Sequence, residues 1–257
     1  MKFPLRLTLD LWRGRLFLAG GGNNDASPIF HLPAACLPAL HENGFDHDTG
    51  GELHTAADSV RTAAKTKARV LWIGGGEPLD HAEVGRVAFA LNARARNVFI
   101  HTDGQRLRQR IHEFRPDSRL FLTLDFAGRE EIHNRTTGRA DAFQRSLEAI
   151  RAAKLSGFLV AAHLAVTGET NLCDVGELIE FLDEKDVDGF IVSGGGHAAG
   201  LGTEALHETV EDARALIRCA AWESFSRFLD RAYEGAYVAQ QTAKLSAPGE
   251  SAFEEGD

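Results

Sequence analysis

Apolar runs of strand length recur along the chain, at Leu5–Leu9, Arg69–Ile73, Asn97–His101, Leu120–Leu124, Phe158–Val166 and Gly189–Ser193. Several are continuous stretches of Val, Ile, Leu and Phe, the pattern of parallel strands buried on both faces. Between them lie helical periodicities over residues 54–66, 81–94, 104–113, 140–156 and 174–185. The fourth sets Phe143, Leu147, Ile150 and Ala153 on one face and stops at Gly157. The fifth starts after Thr170-Asn171, a capping pair, and turns Val175, Leu178, Ile179 and Leu182 inward.

This alternation predicts an α/β fold of βαβ units joined by right-handed crossovers. Six strands fit before residue 200, whereas a closed eight-stranded barrel takes about 250 residues. The rest of the chain reads as helix. A partial (β/α)6 TIM-like barrel with C-terminal helices therefore fits best. A doubly wound open sheet is the alternative, and periodicity does not separate the two. The expected organisation is a barrel over residues 1–203, a helical extension over 204–245 and a disordered acidic tail over 246–257. The extension carries Leu206, Val210, Ala213, Leu216, Ile217, Trp222, Phe225, Phe228, Leu229 and Tyr233 at amphipathic spacing. Residues 41–54, HENGFDHDTGGELH, read as a long polar loop.

Charge and cysteine usage narrow the function classes. The 28 Lys+Arg stand against 37 Asp+Glu, a net charge of −9, and no basic stripe dominates. General nucleic-acid binding is therefore not expected. No apolar run approaches the roughly 18 residues of a transmembrane helix. Arg13 and Arg15 interrupt the apolar N-terminus, unlike a secretory signal. The three cysteines, Cys36, Cys173 and Cys219, are far apart. They make neither a disulfide scaffold nor a zinc ribbon, and they suit a reducing cytoplasm.

Ligands in parallel α/β folds bind beyond the carboxyl ends of the strands. There the chain places Gly74-Gly75-Gly76-Glu77-Pro78, then His101-Thr102-Asp103-Gly104, then Thr123-Leu124-Asp125 with His133 nearby. His163 lies in the fifth strand, and the sixth runs into Ser193-Gly194-Gly195-Gly196-His197. A tight turn needs one or two glycines. Three followed by Glu-Pro point to close approach of backbone N–H groups to a ligand. Polar groups at four consecutive strand ends predict a pocket at that face.

The motifs GGGEPL, the T-D-G turn, LTLDFAGREEIHNRTTGRADAFQRSLEAIRAAKLSG and VDGFIVSGGG together resemble the radical SAM superfamily. The nearest branch is similar to the adenosylhopene transferases, and the resemblance spans residues 5–200. It implies a partial barrel of the radical SAM type and a site for S-adenosylmethionine. The GGEP loop (Gly75, Gly76, Glu77, Pro78) would hold the methionyl amino group. Thr123, Asp125 and His163 would approach the ribose and carboxylate, and Ser193 and Gly194 would line the adenine.

The family's C-x3-C-x2-C, which holds a [4Fe–4S] cluster after the first strand, is absent here, and Cys36, Cys173 and Cys219 are not placed to substitute. Set against the strand at Leu5–Leu9, its three positions fall on Gly14, Leu18 and Gly21, none of which ligates iron. Gly20-Gly21-Gly22-Asn23-Asn24-Asp25 is read as a relaxed loop, with anion binding by its N–H groups as the alternative.

Three functional readings follow. The first is a degenerate member without the cluster, acting as a binding or regulatory subunit beside an active homologue, with S-adenosylmethionine as its possible ligand. The second is a metal-dependent barrel enzyme in which His101, Asp125, His133 and His163 converge on a divalent ion. The third is an atypical active radical SAM enzyme.

Overall fold

The computed structural model describes residues 3–19, 29–33, 56–65, 68–74, 77–94, 96–167, 170–194 and 203–230. Six strands form one sheet: β1 (Ile29–Pro33), β2 (Val70–Gly74), β3 (Asn97–Thr102), β4 (Leu120–Phe126), β5 (Leu159–Val166) and β6 (Gly189–Gly194). All neighbours are parallel, in the order β1-β2-β3-β4-β5-β6. A doubly wound sheet reverses its order at a switch point. Here each strand pairs with the next, so repeated right-handed crossovers set the connecting helices on one side. The result is a curled half-barrel, the first of the two architectures the periodicity allowed.

The helices are α1 (Leu5–Ala19), α2 (Ala56–Lys65), α3 (Val84–Asn92), α4 (Leu107–Arg110), α5 (Glu130–Thr137), α6 (Ala142–Leu155), α7 (Leu172–Asp183) and α8 (Thr203–Ala215), followed by helical residues 220–230. α6 buries Phe143, Ile150 and Ala153 as its spacing predicts and ends before Gly157, whose φ of 81° is the left-handed stop. α7 buries Val175, Leu178, Ile179 and Leu182, and its Asn171 side chain accepts from Cys173 N–H at 2.9 Å.

The first strand is a correction. Leu5–Leu9 belongs to helix α1. The leucines at 5, 7, 9 and 11 alternate, which in a strand would put all four on one face. In a helix, residues four apart share a face. Leu7 and Leu11 are accordingly buried, and Leu5 and Leu9 are exposed. The real first strand, Ile29–Pro33, is short and ends in proline. Among the described residues it is an edge strand paired only to β2, where a missing N–H is tolerated.

The sheet's two faces separate by strand parity. One face carries Trp72, Phe99 and Phe121, with the Phe99 and Phe121 rings stacked at 4.4 Å. Trp222, Phe225 and Phe3 close over this aromatic floor: Phe225 lies 5.3 Å from Phe99, and Trp222 lies 6.0 Å from Phe121 and 4.9 Å from Phe3. Gly189 makes room for this plug, since an added Cβ would lie 2.0 Å from the Trp222 ring. The opposite face packs on helices, for example Phe126 against Phe143 of α6. The expected tail, residues 246–257, lies outside the described residues.

Candidate functional site

Above the aromatic floor the same face turns polar. His101 follows Phe99 by two residues on β3, Thr123 and Asp125 follow Phe121 on β4, and His163 and Ser193 continue on β5 and β6. The register places Asp125 beside His163 on adjacent strands and His101 beside Thr123. Side chains on one face of a parallel sheet then meet across a spacing of about 4.8 Å.

They do meet. His101 Nε2 lies 2.5 Å from Asp125 Oδ1, and His163 Nδ1 lies 2.6 Å from the same oxygen. The two ring nitrogens are 3.2 Å apart. His163 Nε2 reaches Ser193 Oγ at 2.7 Å. Trp72 packs on His101 with 5.0 Å between rings. Burial alone would raise the Asp125 carboxyl pKa, but hydrogen bonds from both imidazoles outweigh it and hold the group well below the usual carboxylate range. Thr123 is fully buried, and its hydroxyl has no hydrogen-bond partner among the described residues. Among the described residues, His101, Asp125 and His163 form the one group of three whose donor atoms could share a metal ion.

His133 stands apart from that group. It lies on α5, where Nδ1 accepts from Ala127 N–H at 3.3 Å and the ring packs between Phe126 and Phe143. Burial lowers its pKa, so the ring is kept neutral as a local brace.

Glu77 builds a second part of the mouth. Its Oε1 accepts from Leu79 N–H at 2.9 Å and from Thr102 Oγ1 at 2.6 Å, and its Oε2 accepts from Asp103 N–H at 2.8 Å. The carboxylate thus caps the short turn at Pro78–Asp80 and ties it to the end of β3. Thr102 Oγ1 in turn accepts from Gly104 N–H at 3.1 Å, which explains the T-D-G turn. Burial first, and then the neighbouring Asp103 carboxylate, push the Glu77 carboxyl up to about 7 against these hydrogen bonds. Glu77 also lines a cleft of about 540 Å³ with Asp103, Arg106 and Arg139. Gly194 is exposed at the end of β6. Gly75 and Gly76 lie outside the described residues.

Sequence reasoning named His101, Asp125, His163, Ser193 and Glu77, but it missed Trp72 as the wall behind His101. No local signal marks Trp72, because an aromatic inside a strand reads as core. It also did not assign Thr102 as the partner of Glu77, although the residue sits in a motif already noted.

The Radical SAM superfamily family model matches residues 46–182, more than half of the chain, and the chain belongs to this superfamily. Among solved structures, it is similar to Streptococcus suis SuiB bound to S-adenosylmethionine, with a TM-score of 0.57 and 13% identity over 94% of this chain and 52% of that one. The structure of the same protein bound to its precursor peptide SuiA gives a TM-score of 0.55 at 13% identity, over 94% and 53% of the two chains. At that identity the likeness is one of fold. The chain spans about half the length of these structures. No curated protein sequence matches it.

The corrected first strand also moves the cluster comparison. Gly14 and Leu18 lie within α1, and Gly21 lies outside the described residues. The segment that follows β1 begins at Ala34 and contains Cys36, with Leu40 and Asn43 four and seven residues on. Of the other cysteines, Cys173 is exposed on the first turn of α7, and Cys219 lies partly buried against the core.

Proposed function

We propose that this radical SAM superfamily member does not carry out cluster-dependent radical chemistry and works as a ligand-binding subunit. The observation that carries the reading is the cysteine set. The family's cluster is held by three thiolates at C-x3-C-x2-C spacing. Behind β1 this chain offers Cys36, then Leu40 and Asn43, and no such spacing occurs anywhere in the sequence. One thiolate does not replace three. The donors do not fit the cluster, and no reaction step is routed through it.

What remains is a polar barrel mouth over an apolar floor. The Glu77 carboxylate, the Thr123 hydroxyl, which has no partner among the described residues, and the exposed end of β6 at Gly194 suit a zwitterionic, hydroxyl-bearing ligand. S-adenosylmethionine has that chemistry, and the resemblance supplies it as the first ligand to try. An active radical SAM homologue is the partner that would give such a subunit a role, in a reducing cytoplasm that suits three cysteines far apart in sequence.

Anaerobic reconstitution with iron and sulfide tests the reading directly. The protein is expected to remain colourless after desalting, and a stoichiometric brown iron–sulfur chromophore would overturn the proposal. Calorimetry with S-adenosylmethionine tests the pocket separately, with a saturable one-to-one heat expected. Affinity capture from the native cell tests the partner, with an intact C-x3-C-x2-C homologue expected to copurify.

A further inference from the structure

We infer that His101 Nε2, Asp125 Oδ1 and His163 Nδ1 form a site for one divalent first-row metal ion. The three donor atoms come from three consecutive strands and close a triangle with edges of 2.5, 2.6 and 3.2 Å. Nitrogen and oxygen ligands held about 2.0–2.2 Å from one ion lie roughly 3 Å from one another.

Either two hydrogens or one cation fills the triangle. For Asp125 Oδ1 to accept from both rings, His101 Nε2 and His163 Nδ1 must each carry a hydrogen. The third edge, 3.2 Å, then separates two N–H groups that share that one oxygen. A cation replaces both hydrogens and takes a lone pair from each of the three atoms.

The surroundings support the ligand roles. A metal-bound imidazole usually gives its other N–H to an oxygen acceptor, which fixes the tautomer and ring orientation. With the ion on Nδ1, His163 Nε2–H donates to Ser193 Oγ at 2.7 Å. His101 is held by Trp72 on one side and by the space at Gly74 on another. A Cβ at Gly74 would stand 3.3 Å from His101 Nδ1 and 3.0 Å from Trp72 Nε1.

Two imidazoles and a carboxylate suit zinc, iron(II), cobalt or manganese rather than calcium or magnesium. The side chains of His101 and His163 are 20% and 11% accessible, whereas that of Asp125 is 43% accessible. The group is therefore open on the carboxylate side, and three protein ligands leave coordination positions there for water or an oxygen-bearing ligand.

The test is titration of the metal-stripped full-length protein with Co2+ at neutral pH. The wild type is expected to bind one equivalent and to develop visible d–d bands. Asp125→Asn and His163→Gln are each expected to weaken binding by at least about 10-fold, while His133→Gln keeps it. Circular dichroism shows whether each variant is folded. If either fails to fold, the imidazole nitrogen resonances of the wild type decide. Those of His101 and His163 are expected to shift on Zn2+ addition while those of His133 stay. The proposal is overturned by the absence of a one-to-one cobalt complex, by binding undiminished in folded Asp125→Asn and His163→Gln, or by shifts confined to other histidines. None of the three ligands is a cysteine, so this outcome is independent of the cluster reconstitution.

Discussion

Replacing Glu77 with Gln isolates one ionisation at the barrel mouth. The folded carboxyl titrates at about 7, and its ordinary value is 4.5. Between those pH values the unfolded chain ionises while the folded chain keeps its proton. The folded state then binds more protons, and stability falls as pH rises. The contribution is fully present below about pH 4.5 and is lost above about pH 7. At about 1.4 kcal/mol per pH unit it amounts to roughly 3 kcal/mol, of which about 2–3 kcal/mol falls between pH 5 and 8. Glutamine does not titrate. Its amide keeps an acceptor for Leu79 N–H and Thr102 but turns a donor toward Asp103 N–H, a fixed cost of about 1–3 kcal/mol at every pH. Urea unfolding of both proteins at pH 5 and pH 8 separates the two effects, because titrating groups that do not interact with Glu77 cancel in the difference. The wild type should lose roughly 2–3 kcal/mol relative to Glu77→Gln across that interval. A change below about 0.5 kcal/mol, or one of opposite sign, would refute the claim that burial and Asp103 raise the titration of this carboxyl to about 7.

Three further substitutions probe the frame around the site. Gly189→Ala drives a Cβ into the Trp222 ring and should cost about 1–3 kcal/mol, read as a lower melting temperature with altered tryptophan emission. Thr123→Val removes a buried hydroxyl that has no partner among the described residues. The unfolding free energy from denaturant titration should stay level or rise by about 1 kcal/mol, while the heat of S-adenosylmethionine binding falls if that hydroxyl serves the ligand. Arg214 has a side chain only 3% accessible. It donates to the Val192 carbonyl, Glu211 and Asp230. Arg214→Met should cost about 3 kcal/mol by taking the guanidinium from Asp230 and the Val192 carbonyl, while Glu211 keeps Arg227, and a loss under about 1 kcal/mol in chemical denaturation would show that solvent takes over the role.

The strand–helix alternation from residue 68 onward was readable because each element there has one dominant period. β2 to β6 are mainly apolar runs, and α6 and α7 bury the faces their spacing defines. The N-terminal segment misled for a physical reason. Alternating leucines satisfy a strand on one face and a helix on every second leucine, so Leu7 and Leu11 could go inward with either geometry. That error moved the cluster comparison to Gly14, Leu18 and Gly21, and the segment with Cys36 came into view only once β1 was placed. α5 was also missed as an element, since EEIHNRTT offers a single buried residue, His133.

The sequence by itself determined the residue types at the strand ends, the family and the absence of a three-cysteine motif. These are properties of order along the chain, and no folding is needed to read them. Only the tertiary structure decided which polar residues meet. His101, Asp125 and His163 are 24 and 38 residues apart in sequence. Their convergence depends on the order of β3, β4 and β5 and on a register that sets Asp125 beside His163. A one-residue slip in that register would turn either side chain to the helical face. The same reasoning removes His133, whose helix carries it into an aromatic niche, and it assigns Trp72 and Gly74 the work of holding His101 in place.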